Sequence, residues 1–285
     1  MKAPAGYEIG TAFARDKTGV YYRAHQSRLN RAVTFKAMRE ELRENARARA
    51  LFDEERRLVA SMEHPNLLLT IDTGEIGGLP YVVTESVAEP TLREALDGPE
   101  PLPEARTVKI ALGIARALHY LAGRGLLYKN LRPQHVLLPR PAAPKLLTFR
   151  NVRSLAEAAS FRAANVQSGA YCAPELVRDD LGPVSAKANV YALGCILYEM
   201  LAGVPPAGAG AKDARAAHAA GVLPSLKERR PFLRDRAHAV VGRLIQHDPV
   251  RRPDPGAAVA LLEAYDNDPL LTRPLRKRSR RSRRR

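Results

Sequence analysis

Residues 273–285 carry nine Lys or Arg and no acid, the densest run of chemistry in the chain. Fixed positive charge at that spacing attracts nucleic-acid phosphates through counterion release. It also attracts anionic lipid, at ~1 kcal/mol per basic residue. No aromatic residue is interleaved, so base stacking and sequence readout are not expected. Ser279 and Ser282 each follow basic residues, and a phosphate on either would add ~1.5–2 negative charges. The other isolated signals are weaker. His135 has no second ligand at a supporting spacing, and Cys172 and Cys195 make no metal-ligand pattern, so no metal site is expected. Two distant cysteines fit a reduced, cytoplasmic protein better than a disulfide framework.

The chain has 285 residues, 45% hydrophobic and 27% charged, within the globular range. Its net charge is +16, and the basic run accounts for nine of that, leaving +7 on residues 1–272. The opening Met1-Lys2-Ala3-Pro4-Ala5-Gly6 lacks the apolar stretch of a secretory signal. The most apolar segment, 190–203, is interrupted by Glu199 and is shorter than the ~20 residues a membrane span needs. It reads as a buried core helix.

Up to Val87 the pattern is mostly strand-like, with one helix expected over 43–62, its buried face marked by Leu51, Leu58, Val59 and Met62. Residues 79–83 read as a buried strand. Beyond Val87 the pattern turns helical, with helices expected over 104–123, 187–202, 235–247 and 255–265. Gly123 is a stop signal for the first of these. The organisation expected is a β-rich part over 1–87, a helical part over 88–265 and a disordered basic tail over 266–285.

Certain short motifs then fall in a recognisable order. Val33-Thr34-Phe35-Lys36 is followed by Glu55, His64-Pro65-Asn66 and Tyr81-Val82-Val83-Thr84-Glu85-Ser86-Val87. Tyr128-Lys129-Asn130-Leu131-Arg132-Pro133-Gln134-His135 comes next, then Thr148-Phe149-Arg150 and Ala173-Pro174-Glu175. Asn189-Val190-Tyr191-Ala192-Leu193-Gly194 and Asp248-Pro249-Val250-Arg251-Arg252-Pro253 close the series. In order and spacing the chain resembles the protein kinase superfamily, and within it the bacterial eukaryotic-type Ser/Thr kinases. The resemblance runs from Tyr7 to Tyr265 and implies an α+β, two-lobed fold: a small β-rich lobe with one helix, then a larger helical lobe.

The resemblance also implies where catalysis would sit, and there the chain departs from the pattern. Asn130 stands where an aspartate accepts the substrate proton, a role worth about 10²–10⁴ in rate. His135 and Thr148 stand where two residues hold magnesium, which prefers carboxylate oxygen. The phosphate-loop glycines read Ala14, Asp16 and Gly19, and the adenine roof reads Tyr21 and Thr34, with the floor residue Leu137 kept. Lys36 and Glu55 keep the pair between strand and helix, and Lys36 either binds phosphate or simply holds Glu55. Arg132 and Arg150 replace a lysine and a glycine. With Lys36 and Lys129 they either form a cationic, metal-free cleft or, in the case of Arg150, point to solvent. Glu175 and Arg252 match a structural ion pair. Ser154, Ser160 and Ser168 fall in the activation segment.

The expected function is therefore that of a pseudokinase, a scaffold or allosteric partner of a protein such as an active kinase or signalling protein. No cofactor is expected beyond weak, metal-independent ATP binding. Two alternatives stand beside it: a divergent Ser/Thr kinase with slow transfer, and a nonspecific nucleic-acid or membrane tether. A cytoplasmic protein, peripheral to membrane or nucleoid through residues 273–285, is the matching location.

Overall fold

The computed structural model describes residues 3–98, 102–139, 143–148, 151–157, 169–208 and 211–271. Phe149, Arg150, Ser160, Ser168 and residues 272–285 lie outside the described residues.

The first part is a five-stranded antiparallel sheet in the order β1-β2-β3-β5-β4. Its strands are β1 (Tyr7–Arg15), β2 (Gly19–Gln26), β3 (Arg31–Met38), β4 (Thr70–Ile76) and β5 (Leu79–Glu85). Alternation puts Val33, Phe35 and Ala37 on one face, where Phe35 stacks on Tyr81 with ring centroids 4.9 Å apart. Met38 and Val82 face the other way, toward helix α1 (Ala46–Ala60) and the main core.

Helix α1 is shorter than the sequence suggests, and its buried face is set by Ala48, Phe52, Glu55 and Val59. Leu51 is 42% exposed, a correction to its expected place on that face. The helix starts at Asn45, whose side chain accepts the Ala48 N–H, and this cap fixes the rotation that turns Leu51 outward.

The second part is helical, after a single turn α2 (Leu92–Leu96). Helices α3 (Glu104–Gly123) and α4 (Lys187–Ala202) have the bounds that the sequence predicts. Fourteen residues of α4, from Ala188 to Leu201, are buried, so apolar residues can occupy all its faces. Helices α5 (Ala211–Ala220), α6 (Leu226–Arg229), α7 (Asp235–Leu244) and α8 (Pro255–Asp266) complete the body. Gly194 lets α4 and α7 approach closely, since a Cβ there would lie 2.8 Å from the Leu244 Cβ. Past α8 the chain still packs, and Leu271 is buried. No helix among the described residues is long and apolar enough to cross a membrane.

Between α3 and α4 lie short strands β6 (Leu126–Tyr128), β7 (Val136–Leu137), β8 (Lys145–Leu146) and β9 (Val152–Ser154). They pair as β6–β9 and β7–β8 and hold the loops of the site. Asn189 of α4 clamps one end, donating from Nδ2 to the Tyr128 carbonyl (2.6 Å) and accepting its N–H on Oδ1 (3.0 Å).

Candidate functional site

The turn between β1 and β2 is built by one side chain. Asp16 Oδ1 accepts the N–H groups of Thr18 and Gly19, both at 2.7 Å, and the Thr18 hydroxyl at 3.1 Å. Asx side chains favour such turns because they supply acceptors the backbone lacks locally. The other oxygen, Oδ2, takes the Tyr21 hydroxyl at 2.7 Å and lies 3.3 Å from Lys36 Nζ. Burial alone would raise the Asp16 pKa. The Lys36 ammonium, the Tyr21 hydroxyl and the two N–H groups prevail and hold it below the ordinary carboxylate range.

Lys36 is fully enclosed. It lies directly across the β2–β3 ladder from Tyr21, and its Nζ is 2.6 Å from Glu55 Oε1 on α1. The rings of Tyr21 and Phe52 flank the ammonium at 5.2 and 5.1 Å from their centroids, and its exposure is 0%. Gly19 serves this packing, because a Cβ there would fall 2.7 Å from Lys36 Cε. Two carboxylates and two rings thus surround one cation, an arrangement that suits its burial.

The loop after β6 carries Asn130, Arg132 and His135. Asn130 has φ of +59°, a left-handed conformation that Asn tolerates better than most residues. Arg132 Nε donates to His135 Nε2 at 3.2 Å. A guanidinium only donates, so the imidazole proton sits on Nδ1 and goes to the Asn130 carbonyl 3.1 Å away. Both ring nitrogens are therefore engaged. Burial and the Arg132 charge lower the His135 pKa to about 4, so the ring is neutral at physiological pH. Thr148 is 1% exposed, and its hydroxyl has no partner among the described residues.

On the side of the chain connecting the two parts, Thr34 Oγ1 accepts the Val87 N–H at 3.2 Å. Thr34, Thr84 and Leu137 are all buried. Farther along, Glu175 and Arg252 form a bidentate pair at 2.6 and 3.0 Å, both side chains at 0% exposure. Arg252 also donates to the carbonyls of Lys187, Gln246 and His247.

A cleft of about 730 Å³ opens between the β1–β2 turn and the loop after β6. Among the described residues five cations line it, Arg15, Lys17, Arg39, Lys129 and Arg132, against one acid, Asp16. Of the residues singled out in the sequence, Ala14, Asp16, Tyr21, Lys129, Asn130, Arg132 and His135 reach this cleft. Lys36, Glu55, Gly19, Leu137 and Thr148 do not line it, so Lys36 is no part of a cationic cleft wall. Arg150 falls outside the described residues. Arg15, Lys17 and Arg39 were missed in the sequence. The one signal for the first two is that they flank Asp16 in a turn whose closure aims it inward.

A family model for the protein kinase domain matches residues 7–262. The chain belongs to the protein kinase family. It is 32% identical over 207 residues to a probable serine/threonine-protein kinase of Streptomyces coelicolor, covering 70% of this chain and 30% of that one. Serine/threonine-protein kinase PknB of Mycobacterium leprae is 31% identical over 206 residues, covering 70% and 33%. A probable PknB of Bifidobacterium longum is 29% identical over 212 residues, covering 70% and 30%. The match thus spans about a third of the length of these curated relatives.

Proposed function

We propose that this kinase-family chain does not transfer phosphate and acts by binding, as a scaffold or allosteric partner of another protein. One observation carries the reading: Asp16 sits 3.3 Å from a lysine that is itself 0% exposed. The position that an incoming phosphate would take beside Lys36 is held by a carboxylate of the chain's own.

The loop chemistry supports the same reading. An amide at Asn130 cannot take a proton at neutral pH, which forfeits general-base assistance. His135 has both nitrogens engaged and Thr148 offers a neutral hydroxyl. This donor set does not fit magnesium, which wants carboxylate oxygens in near-octahedral array. Thr34 occupies the Val87 N–H that an adenine edge would use. The intact Lys36–Glu55 and Glu175–Arg252 pairs are explained by structure, because each leaves a stranded buried charge if one member is lost.

A second reading, a divergent Ser/Thr kinase with weak ATP-dependent transfer, is favoured by those same pairs and by the names of the relatives. Incubating the chain with γ-labelled ATP and generic substrates, with magnesium and with manganese, separates the two. The binding reading expects no incorporation above a heat-denatured control. Incorporation above it, abolished by Lys36→Ala, would establish the second reading.

A further inference from the structure

We infer that the cleft between the β1–β2 turn and the loop after β6 holds a phosphoserine- or phosphothreonine-bearing segment of a partner protein, without a metal ion. The inference rests on the reading that the chain transfers no phosphate, and it names the ligand class of that same cleft.

The charge on the walls comes first. Arg15, Lys17, Arg39, Lys129 and Arg132 face about 730 Å³ of space, with Asp16 the one acid among the lining residues. Asp16 is already matched by Lys36 and the Tyr21 hydroxyl, so it leaves little charge to repel a ligand. Glu41 engages Arg39 at 3.2 Å but is not itself a lining residue. Arginines and lysines arranged this way suit a phosphate dianion, which supplies three strong acceptor oxygens.

Asn130 supplies the second argument. A carboxylate at this lining position would accept a proton from an incoming hydroxyl and would repel the same side chain once phosphorylated. The amide does neither. Its Nδ2 can donate to a phosphate oxygen, and its φ of +59° is one that Asn tolerates. The substitution that removes a base therefore makes a phosphate acceptable at this point.

The shape of the cleft selects peptide over nucleotide. Thr34, Thr84 and Leu137 are buried and line no part of the cleft, and the Val87 N–H already has a partner. Tyr21, Val87 and Leu147 also line the cleft, but a purine edge beside them would find the Val87 N–H already taken. The wall instead presents Phe13, 43% exposed, beside the amides of Asn130 and Asn151. These are partners for a side chain and a peptide backbone.

The test uses the full chain and a fluorescein-labelled Gly/Ala peptide with one central phosphoserine, read by anisotropy. Its unphosphorylated twin, unlabelled phosphopeptide, magnesium-free ATP and inorganic phosphate are the other arms. The labelled phosphopeptide is expected to bind, its twin at least tenfold more weakly, and EDTA to change nothing. Asn130→Asp, which preserves shape and backbone tolerance, is expected to weaken phosphopeptide binding at least tenfold. Lys17→Glu with Lys129→Glu should do the same. Arg278→Glu with Arg280→Glu makes the same change of charge in the basic run and should cost less than twofold. Equal binding of the two peptides, no binding, loss with EDTA, or an equal effect of the Arg278/Arg280 pair would overturn the inference. So would displacement by ATP or inorganic phosphate at lower concentration than unlabelled phosphopeptide. Phosphate transfer in the labelled-ATP assay would overturn the proposed function while the binding result stands by itself.

Discussion

Arg132 and His135 are joined by a hydrogen bond from Nε to Nε2, 3.2 Å long, that keeps a cation beside a neutral imidazole. His218 is held in a similar way, with Nδ1 2.7 Å from the Tyr191 hydroxyl and Nε2 3.0 Å from the Ala170 carbonyl. Burial is the main cause in both rings, whose pKa is lowered to about 4 in the folded chain, well below the ordinary imidazole value of 6.5.

A stability profile follows from these two rings. The unfolded chain takes up a proton on each near pH 6.5, and the folded chain resists until about pH 4, so falling pH favours unfolding across that window. Each ring contributes on the order of 1 kcal/mol or more, present above pH 6.5 and lost toward pH 4. Urea unfolding at pH 7, 5.5 and 4.5 should show the decline, and His135→Asn should reduce its slope. A flat profile would contradict the neutral buried rings.

Asp16→Asn keeps the Oδ1 acceptor that forms the turn and removes the charge beside Lys36. Combined with Tyr21→Val and Thr34→Ala, it should restore a measurable ATP effect on melting. A ligand at 100 times its dissociation constant stabilises a fold by ~2.7 kcal/mol, a shift of several degrees. The unaltered chain should show little shift, and none that disappears with EDTA. A shift of the same size in the unaltered chain would refute the blockade.

Glu175→Ala strands Arg252 with its charge enclosed at 0% exposure. The expected cost is ~3–5 kcal/mol. Arg252→Lys should also destabilise, since one ammonium cannot reproduce a bidentate pair and three carbonyl contacts. Chemical denaturation measures both, and a loss below ~1 kcal/mol would show that the pair is not a fastener.

The basic run is a separable binding element in this reading. If about six of its nine cations contact duplex phosphates, log affinity should fall against log salt with slope near −5. Ser279→Glu with Ser282→Glu should weaken binding, by less than full phosphorylation would. Equal affinity for DNA and for anionic vesicles between the whole chain and one ending at Thr272 would remove this element.

Much of the fold could be read from residues alone, for identifiable reasons. Helices α3 and α4 follow long apolar periods with glycine at or just past their ends, Gly123 and Gly203, and their bounds match. Lys36 and Glu55 were recognisable through the resemblance to the kinase motifs. Helices α2 and α6 escaped notice because each is under two turns. Yet Thr91 with Glu94 and Ser225 with Glu228 are capping boxes that mark their starts. The contact of Asp16 with Lys36 was not legible, because it depends on the β2–β3 register that sets Tyr21 across from Lys36. The cations Arg15, Lys17 and Arg39 stayed hidden for the same reason. Arg15 ends β1, Lys17 lies in the β1–β2 turn and Arg39 follows β3, and the sheet curvature that brings them to the cleft has no one-dimensional signature.

The carboxylate of Asp16 belongs to the same chain as its lysine, held in the β1–β2 turn beside strand β3, so its local concentration is set by covalent geometry and not by the cell. A diffusing triphosphate rises and falls with metabolism; this anion does neither. If the binding reading holds, the lobe geometry that Lys36 and Glu55 maintain is uncoupled from the supply of nucleotide. On that reading, a docking partner would meet the same surface in a starved cell as in a growing one.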